Sequence, residues 1–137
     1  MTEKTEVKEF YDTFVENQQK VGISVRHRII AKKLKAIGLK SNSNVLEVGC
    51  GIGTVSELII KTIPSGKFLG CDISEGSIRT AQQRNSSKNA DFIVDDMSNF
   101  TSDIKFDFIV FPDVLEHIPV SEHSNLFANI SKVSSDN

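Results

Sequence analysis

The residues most suited to chemistry lie in N-V-L-E-V-G-C-G-I-G-T, the stretch 44–54. It joins one acidic residue, Glu47, to glycines at alternate positions, Gly49, Gly51 and Gly53. Glycines lack the Cβ atoms that would hold a ligand away from the backbone, and they permit positive φ where the chain reverses. The amides at the start of a following helix can bind an anionic group such as a carboxylate. A carboxylate beside this turn suits a ligand that also carries positive charge.

The spacing of the glycines separates this turn from the dinucleotide-binding fingerprint. In that fingerprint, G-x-G-x-x-G, the third glycine would fall at position 54, where this chain has Thr54. Glu47 would also repel a pyrophosphate. These two residues disfavour an NAD-dependent oxidoreductase.

Further acidic residues follow the next two apolar runs. Asp72 ends F-L-G-C-D, and Asp95 and Asp96 follow F-I-V. An acid at the tip of the second strand can accept hydrogen bonds from both hydroxyls of a ribose. One carboxylate of the later pair can accept from an adenine amino group while Met97 packs near the ring, and the other is expected to be solvated. Together with Glu47, these residues fit an adenosine-bearing cation.

Strands that alternate with helices must position these residues. Strands are predicted at Val45–Val48, Lys67–Cys71, Asp91–Val94 and Phe106–Phe111, and helices at Thr54–Ile63, at Glu75–Asn85 and from near Ser121. Such alternation implies right-handed crossovers and a parallel sheet. We therefore predict an α/β fold, a Rossmann-like doubly wound parallel sheet with helices on both faces.

Residues 1–40 are predicted to form two amino-terminal helices. The first covers Thr2–Lys20 and ends at Gly22, and Ser24 caps the second, which ends at Gly38. The apolar stripe of the second helix consists of Val25, Ile29, Ile30, Leu34 and Ile37. The last helix of the chain is expected to bury Leu126, Phe127, Ile130 and Val133.

Four successive motifs resemble those of the class I S-adenosylmethionine-dependent methyltransferases. They are E-V-G-C-G-I-G, the acid of G-C-D, V-D-D-M, and F-D-F-I-V-F-P-D-V-L-E-H-I. The segment Asp113–Ile118 in the last motif is similar to the branch that mostly methylates small molecules. The resemblance implies S-adenosylmethionine as cofactor, S-adenosylhomocysteine as product, and in-line transfer of a methyl group to a small-molecule acceptor.

The resemblance also implies roles for the residues around the first strand. Gly49, Cys50, Gly51 and Gly53 would form the loop around the methionine moiety of the cofactor. Glu47 would orient the ammonium group of that moiety through the loop or through water.

Residues after the other strands take the remaining implied roles. Asp72 would hold the ribose and Ile73 would lie against the adenine, although D-I-S-E also resembles a helix cap. Asp96 and the backbone of Met97 would read the adenine edge. Phe111 would offer its carbonyl oxygen to the methionine ammonium group.

His117 is the candidate catalytic residue. It follows the fourth strand near the expected entrance for the acceptor, where it could act as a general base, or as a structural histidine bound to backbone. The adjacent Glu116 is interpreted as an exposed or capping residue.

The resemblance extends over nearly all 137 residues but only over the front portion of the family's domain. We therefore expect one domain, residues 1–137, incomplete after the fourth strand and its helix. The fourth strand would then have an open edge, which favours pairing with another chain or self-association. The alternative to an enzyme is a non-catalytic module that binds the cofactor or a partner.

Composition excludes several other classes of protein. A net charge of −2 argues against a dedicated nucleic-acid binder, and the basic cluster at 26–35 is interpreted as a solvated helix face. Cys50 and Cys71 lack metal-binding spacing and are expected to be small buried residues in a reducing compartment, and no metal site is predicted. Without a membrane-spanning run or a signal peptide, the expected location is cytoplasmic.

Overall fold

A parallel four-stranded sheet organises the computed structural model, which describes residues 25–112 and 120–135. Its strands are Val45–Val48 (β1), Phe68–Asp72 (β2), Ala90–Val94 (β3) and Phe108–Val110 (β4). The strand order is β3-β2-β1-β4, so β1 lies between β2 and β4. The chain runs outward from β1 through β2 to β3 and then returns to β4 on the other side of β1. Ligands of open α/β sheets bind at the carboxyl ends of strands beside such a reversal of strand order.

Within residues 25–112 and 120–135, four helices cover the two faces of the sheet. They are Val25–Ala36 (α1), Thr54–Thr62 (α2), Glu75–Arg84 (α3) and His123–Val133 (α4), and a 3-10 turn, Val120–Glu122, precedes the last. Ser74 caps α3, because its hydroxyl oxygen accepts a hydrogen bond from the Ser77 amide at 3.1 Å. The start of α2 has no such side-chain cap and follows Gly53 directly.

The core has two layers, one on each face of the sheet. One layer joins α1, α2 and α3 to the sheet through residues such as Leu34, Ile59 and Ile78. The other joins α4 to the opposite face through Leu126, Ile130 and Val133. Side chains alternate along a strand, so β1 contributes Val45 to the first layer and both Leu46 and Val48 to the second.

The structure confirms the predicted α/β fold, with its parallel sheet and helices on both faces. β1 has the predicted bounds, β3, α2 and α3 differ from prediction by one residue at one end, and β2 is shifted by one residue at both ends. β4 is shorter than predicted because Phe106 pairs elsewhere: its amide donates to the Val133 carbonyl at 2.7 Å, and its carbonyl accepts from Ser135 at 2.8 Å. Phe106 and Ser134 thereby form a parallel bridge.

The bridge also bears on the open edge predicted for the fourth strand. At Phe106 this edge is paired, by the segment that follows α4. Over Phe108–Val110, β1 is the one strand partner among residues 25–112 and 120–135.

The predicted burial of Phe127 is wrong, since 48% of this residue is exposed. Leu126, Ile130 and Val133 are buried as predicted. Successive helix residues advance by about 100°, so Phe127 is displaced from the inward row, and its ring instead lies 6.2 Å from that of Phe111, centroid to centroid.

The predicted apolar stripe of α1 is only partly buried. Leu34 is buried and Ile30 packs against the same layer, whereas Val25, Ile29 and Ile37 are exposed. The stripe therefore combined two faces of the helix, because Val25 and Ile29 lie about 140° around the axis from Ile30 and Leu34. The helix Thr2–Lys20, its end at Gly22 and the cap Ser24 fall outside the described residues.

In the part of the chain that the structure describes, no helix combines the length and apolar character that a membrane crossing requires.

Candidate cofactor-binding site

Glu47 lies in the central strand with 1% of its surface exposed, opposite Gly70 of β2 and Val110 of β4. The Ser56 hydroxyl, from α2, donates to its Oε1 atom at 2.5 Å. Burial raises the pKa of Glu47 to about 8, the Ser56 hydrogen bond opposes this rise, and the nearby Asp72 carboxylate adds to it. A positive charge placed beside the carboxyl group would favour its ionised form.

The glycine turn folds against the end of β2. The amides of Gly49 and Cys50 both donate to the carbonyl oxygen of Cys71, at 2.7 and 3.0 Å. Gly49 and Gly51 have φ values of 79° and 57°, in the left-handed region that glycine adopts without a steric cost. The sequence prediction of positive φ at this turn is confirmed.

Gly53 has a packing role that spacing alone did not reveal. A Cβ atom at this position would lie 2.6 Å from Asn85 Nδ2 and 3.1 Å from Ala81 Cβ. The Asn85 side chain follows α3 and donates to the carbonyl oxygens of Gly53 and Ala81, each at 3.2 Å. The third glycine therefore allows the start of α2 to approach the end of α3.

Asp72 connects the glycine turn to the start of α3. Its Oδ2 atom accepts a hydrogen bond from the Gly51 amide at 2.9 Å, and Oδ1 accepts from the Ser74 amide at 3.0 Å. The carboxylate is buried, and the adjacent Ile73 is half-buried. A cap alone would account only for the bond to Ser74, so the bond to Gly51 ties this acid to the same site as Glu47.

The loop after β3 lies at the same edge of the sheet, because the Asp95 amide donates to the Asp72 carbonyl at 3.0 Å. Asp95 Oδ1 accepts from the Met97 amide at 2.6 Å. Asp96 is exposed, and its Oδ1 accepts from the amide and the hydroxyl of Ser98, at 2.9 and 2.6 Å. Of the two acids, Asp96 is the more exposed, and Asp95 is half-buried.

Phe111 follows β4 directly and is half-buried, at the same end of the sheet as Glu47. The contact between its carbonyl oxygen and the cofactor stays a prediction. His117, Glu116 and the rest of Asp113–Ile118 fall outside the described residues, so the general-base role stays a prediction.

Both cysteines are buried free thiols, as expected. Burial raises the pKa of the Cys50 and Cys71 thiols, so both stay protonated. Their part in this site is structural: the Cys71 carbonyl holds the glycine turn, and Cys50 Sγ would lie 3.1 Å from a Cβ atom at Gly70.

Sequence reasoning missed three polar side chains that hold the site together: Ser56, Asn85 and Asn129. Asn129 lies in α4, and its Nδ2 atom donates to the carbonyl oxygens of Met97 and Ser98, at 2.9 and 2.7 Å. One signal was available, because asparagine is a poor helix former and its presence within a helical pattern indicates a specific side-chain contact.

Comparison with known proteins gives the family. Residues 45–137 match a family model described as a methyltransferase domain. Malonyl-[acyl-carrier protein] O-methyltransferase 1 of Ilyobacter polytropus is 41% identical over 73 residues, which are 53% of this chain and 27% of that protein. The corresponding enzyme of Bacillus cereus is 27% identical over 100 residues, 73% of this chain and 36% of that protein. The chain therefore spans about a third or less of these curated relatives.

Solved structures show the same fold. Magnesium protoporphyrin IX methyltransferase from Synechocystis PCC 6803 with bound S-adenosylmethionine aligns with a TM-score of 0.75 and 22% identity, over 98% of this chain and 73% of that chain. A TehB-like S-adenosylmethionine-dependent methyltransferase from Corynebacterium glutamicum aligns with a TM-score of 0.72 and 24% identity, over 93% and 66%. Because the family model covers more than half of the chain, the chain belongs to the class I S-adenosylmethionine-dependent methyltransferases, as its motifs predicted, and S-adenosylmethionine is the cofactor of that family.

Proposed function

We propose that this chain binds S-adenosylmethionine at the carboxyl ends of β1, β2 and β3, for methyl transfer to a small-molecule acceptor. The observation that carries the proposal is the hydrogen bond from the Gly51 amide to Asp72 Oδ2, at 2.9 Å. It joins the glycine turn after β1 to the acid that ends β2, and β1 also carries the buried Glu47. Family membership and this hydrogen bond both support S-adenosylmethionine as the ligand.

The residues of the turn suit the methionine end of the cofactor. Gly49, Cys50 and Gly51 would surround it, since Gly49 and Gly51 have no Cβ atom and hold left-handed backbone. Gly53 would keep the turn closed by packing on α3. Glu47 would orient the ammonium group, and the approach of that positive charge would favour loss of the Glu47 proton.

The remaining strands suit the adenosine end. Asp72 would accept hydrogen bonds from the ribose hydroxyls, which would join or replace those from Gly51 and Ser74, and Ile73 would pack against the adenine. Asp96 would accept from the adenine amino group. The Met97 amide already donates to Asp95 Oδ1, so Met97 would contribute through the position of its backbone. The Phe111 carbonyl would accept from the methionine ammonium group.

The bound cofactor supplies the methyl group on a sulfonium, which is a good leaving group. The chain mainly has to align the acceptor with the methyl carbon. The positive charge disperses in the transition state, so Glu47, Asp72 and Asp96 would serve binding more than rate. A base such as His117 would help only where the acceptor must lose a proton.

The names of the curated relatives point to one acceptor class to test first. Malonyl-[acyl-carrier protein] O-methyltransferases have a carboxyl oxygen as acceptor according to that name. A carboxylate is already ionised at neutral pH and needs no general base. Transfer to a malonyl thioester that survives His117→Ala would support this acceptor class, whereas binding of cofactor without transfer to carboxylate or hydroxyl acceptors would favour a non-catalytic module.

Thermal unfolding in the presence of ligand tests the cofactor. S-adenosylhomocysteine at a hundredfold its dissociation constant should stabilise the folded state by about 2.7 kcal/mol. We expect this shift in the wild-type chain and not with NADH. Asp72→Asn should abolish most of this shift, because asparagine has one acceptor oxygen where the carboxylate has two.

Asp91→Asn is the matched control. Asp91 is an exposed acid in β3, opposite Leu69 and away from the carboxyl end of the strand. We expect the shift with S-adenosylhomocysteine to survive in this variant. Stabilisation by NADH in its place, or equal losses in the two aspartate variants, would contradict the proposed site.

A further inference from the structure

We propose that Asn129 of α4 is a positioning residue for recognition of the adenine amino group, which rests on the proposed function. Its side chain holds the two-residue segment Met97–Ser98 in the loop after β3. This segment carries the contacts that orient Asp96, the acid assigned to that amino group.

The backbone of Met97 is held in a conformation that it would not adopt alone. Its φ is 67°, and it is the one residue other than glycine with positive φ in the described ranges. Such strain persists where the surroundings over-determine it, and it is enriched at ligand-binding sites. Met97 is 2% exposed and belongs to the same core layer as Leu126 and Ile130 of α4.

Hydrogen bonds fix both sides of this segment. Its amides donate to the preceding acids, Met97 to Asp95 Oδ1 at 2.6 Å and Ser98 to Asp96 Oδ1 at 2.9 Å. Its carbonyl oxygens both accept from Asn129 Nδ2, at 2.9 and 2.7 Å. One side-chain amide group therefore restrains both peptide units from the α4 side.

The place of Asn129 within α4 supports a specific role. It lies three residues after Leu126 and four before Val133, and both of these residues are buried. Positions with this spacing share one face of a helix. An apolar residue would extend that buried row, whereas asparagine is a poor helix former. The amide at this position instead bonds the loop.

Asn129 thereby controls the direction of the Asp96 carboxylate. Asp96 Oδ1 accepts from both the amide and the hydroxyl of Ser98, so the carboxylate follows the Ser98 backbone. Loss of the bonds from Asn129 would release the Met97 peptide and leave the Ser98 carbonyl with its bond from Asn125 alone, so Asp96 would hold its acceptor oxygen less firmly. Loss of Asn129 should therefore weaken the hydrogen bond to the adenine amino group and leave the other contacts of the ligand unchanged.

Calorimetric titration with two ligands tests the inference. The purine-riboside analogue of S-adenosylhomocysteine differs from it only in the purine, where a hydrogen replaces the amino group. We expect the wild-type chain to prefer the adenosyl ligand by roughly tenfold to a hundredfold, the range for one hydrogen bond to a charged group. In Asn129→Ala this preference should fall to about onefold to threefold.

Asn125→Ala is the matched control, because Asn125 Nδ2 donates to the Ser98 carbonyl at 3.1 Å from one turn earlier in α4. It gives Met97 no hydrogen bond that would hold its φ, so the preference should persist. Asn129→Leu also removes the donors, and leucine is a good helix former. This variant is used instead if Asn129→Ala does not fold.

Equal weakening of both ligands by Asn129→Ala would overturn the inference and leave the proposed function standing. The same holds if Asn125→Ala abolishes the preference as fully. No binding of S-adenosylhomocysteine by the wild-type chain would overturn the proposed function, and the role of Asn129 with it.

Discussion

Glu47 is a carboxyl group buried in the central strand, and its protonation links folding to pH. Burial raises its pKa from 4.5 to about 8. Between these values the folded chain binds a proton that the unfolded chain has lost. The free energy of unfolding should therefore fall as pH rises through this window, by up to about 1.4 kcal/mol per pH unit. The contribution of the protonated group is fully present below pH 4.5 and is lost above the folded pKa.

Glu47→Gln should flatten this pH dependence. Glutamine does not titrate, and its side-chain oxygen can still accept from the Ser56 hydroxyl. We expect the variant to match the wild-type chain near pH 5 and to exceed its free energy of unfolding by a few kcal/mol (~2–4) near pH 8.5. Urea unfolding from pH 5 to 9 measures both profiles. Parallel profiles would show that Glu47 does not titrate in this range.

At the scale of secondary-structure elements, the contact between α2 and α3 depends on Gly53. An alanine there would hold an unfavourable φ of 85° and place its Cβ atom 2.6 Å from Asn85 Nδ2. The backbone conformation costs about 1–2 kcal/mol, and overpacking adds roughly 1–3 kcal/mol. We therefore expect Gly53→Ala to lower the free energy of unfolding by about 2–5 kcal/mol, measured by urea unfolding.

Gly38→Ala separates these two effects. Gly38 has a φ of 113°, and a Cβ atom there would meet nothing within 4 Å. Only the backbone cost remains, so this variant should lose about 1–2 kcal/mol. Equal losses in the two variants would mean that Asn85 moves aside freely and that Gly53 has no packing role.

The elements were predictable where a local pattern decides them. The apolar run of β1 ends at a glycine turn, and its bounds agree with prediction. The shorter β4 was not predictable, because Phe106 bonds to Val133 and Ser135 across the outer side, a contact distant in sequence. The burial of Phe127 was predicted wrongly for a related reason, because apolar character alone does not show whether a helix residue faces the core.

The candidate site, too, could be predicted from the sequence only in part. Gly51 and Asp72 could be predicted as site residues from their types and positions. Glycine permits a left-handed turn close to a ligand, and an acid at a strand end can accept hydrogen bonds from a ribose. The bond between them required the register of β1 and β2. Asn85 and Asn129 bond backbone groups about 30 residues away in the chain. No local pattern specifies such partners.

At the scale of the whole molecule, buried positions near the two ends of the strands should differ in their effect on the cofactor site. The layer on the α4 side contains Leu126 and also Met97, so it supports the loop after β3. The opposite layer contains Ile63, which follows α2 near the amino ends of the strands, since its carbonyl accepts from Asn89 just before β3. Damage at Leu126 should therefore reach the ligand, whereas damage at Ile63, at the end of its layer away from Cys50 and the glycine turn, should only lower stability.

A matched pair of cavity variants tests this division. Leu126→Ala and Ile63→Ala each remove a buried aliphatic side chain, and each should cost about 2–5 kcal/mol of unfolding free energy. Affinity for S-adenosylhomocysteine is then measured by calorimetry at a temperature where circular dichroism shows both variants folded. We expect Leu126→Ala to weaken binding by about tenfold, the loss of roughly one hydrogen bond, and Ile63→Ala to leave it near the wild-type value. The division would be wrong if both variants bound the ligand equally well, because α4 would then lie against the sheet without fixing the segment Met97–Ser98.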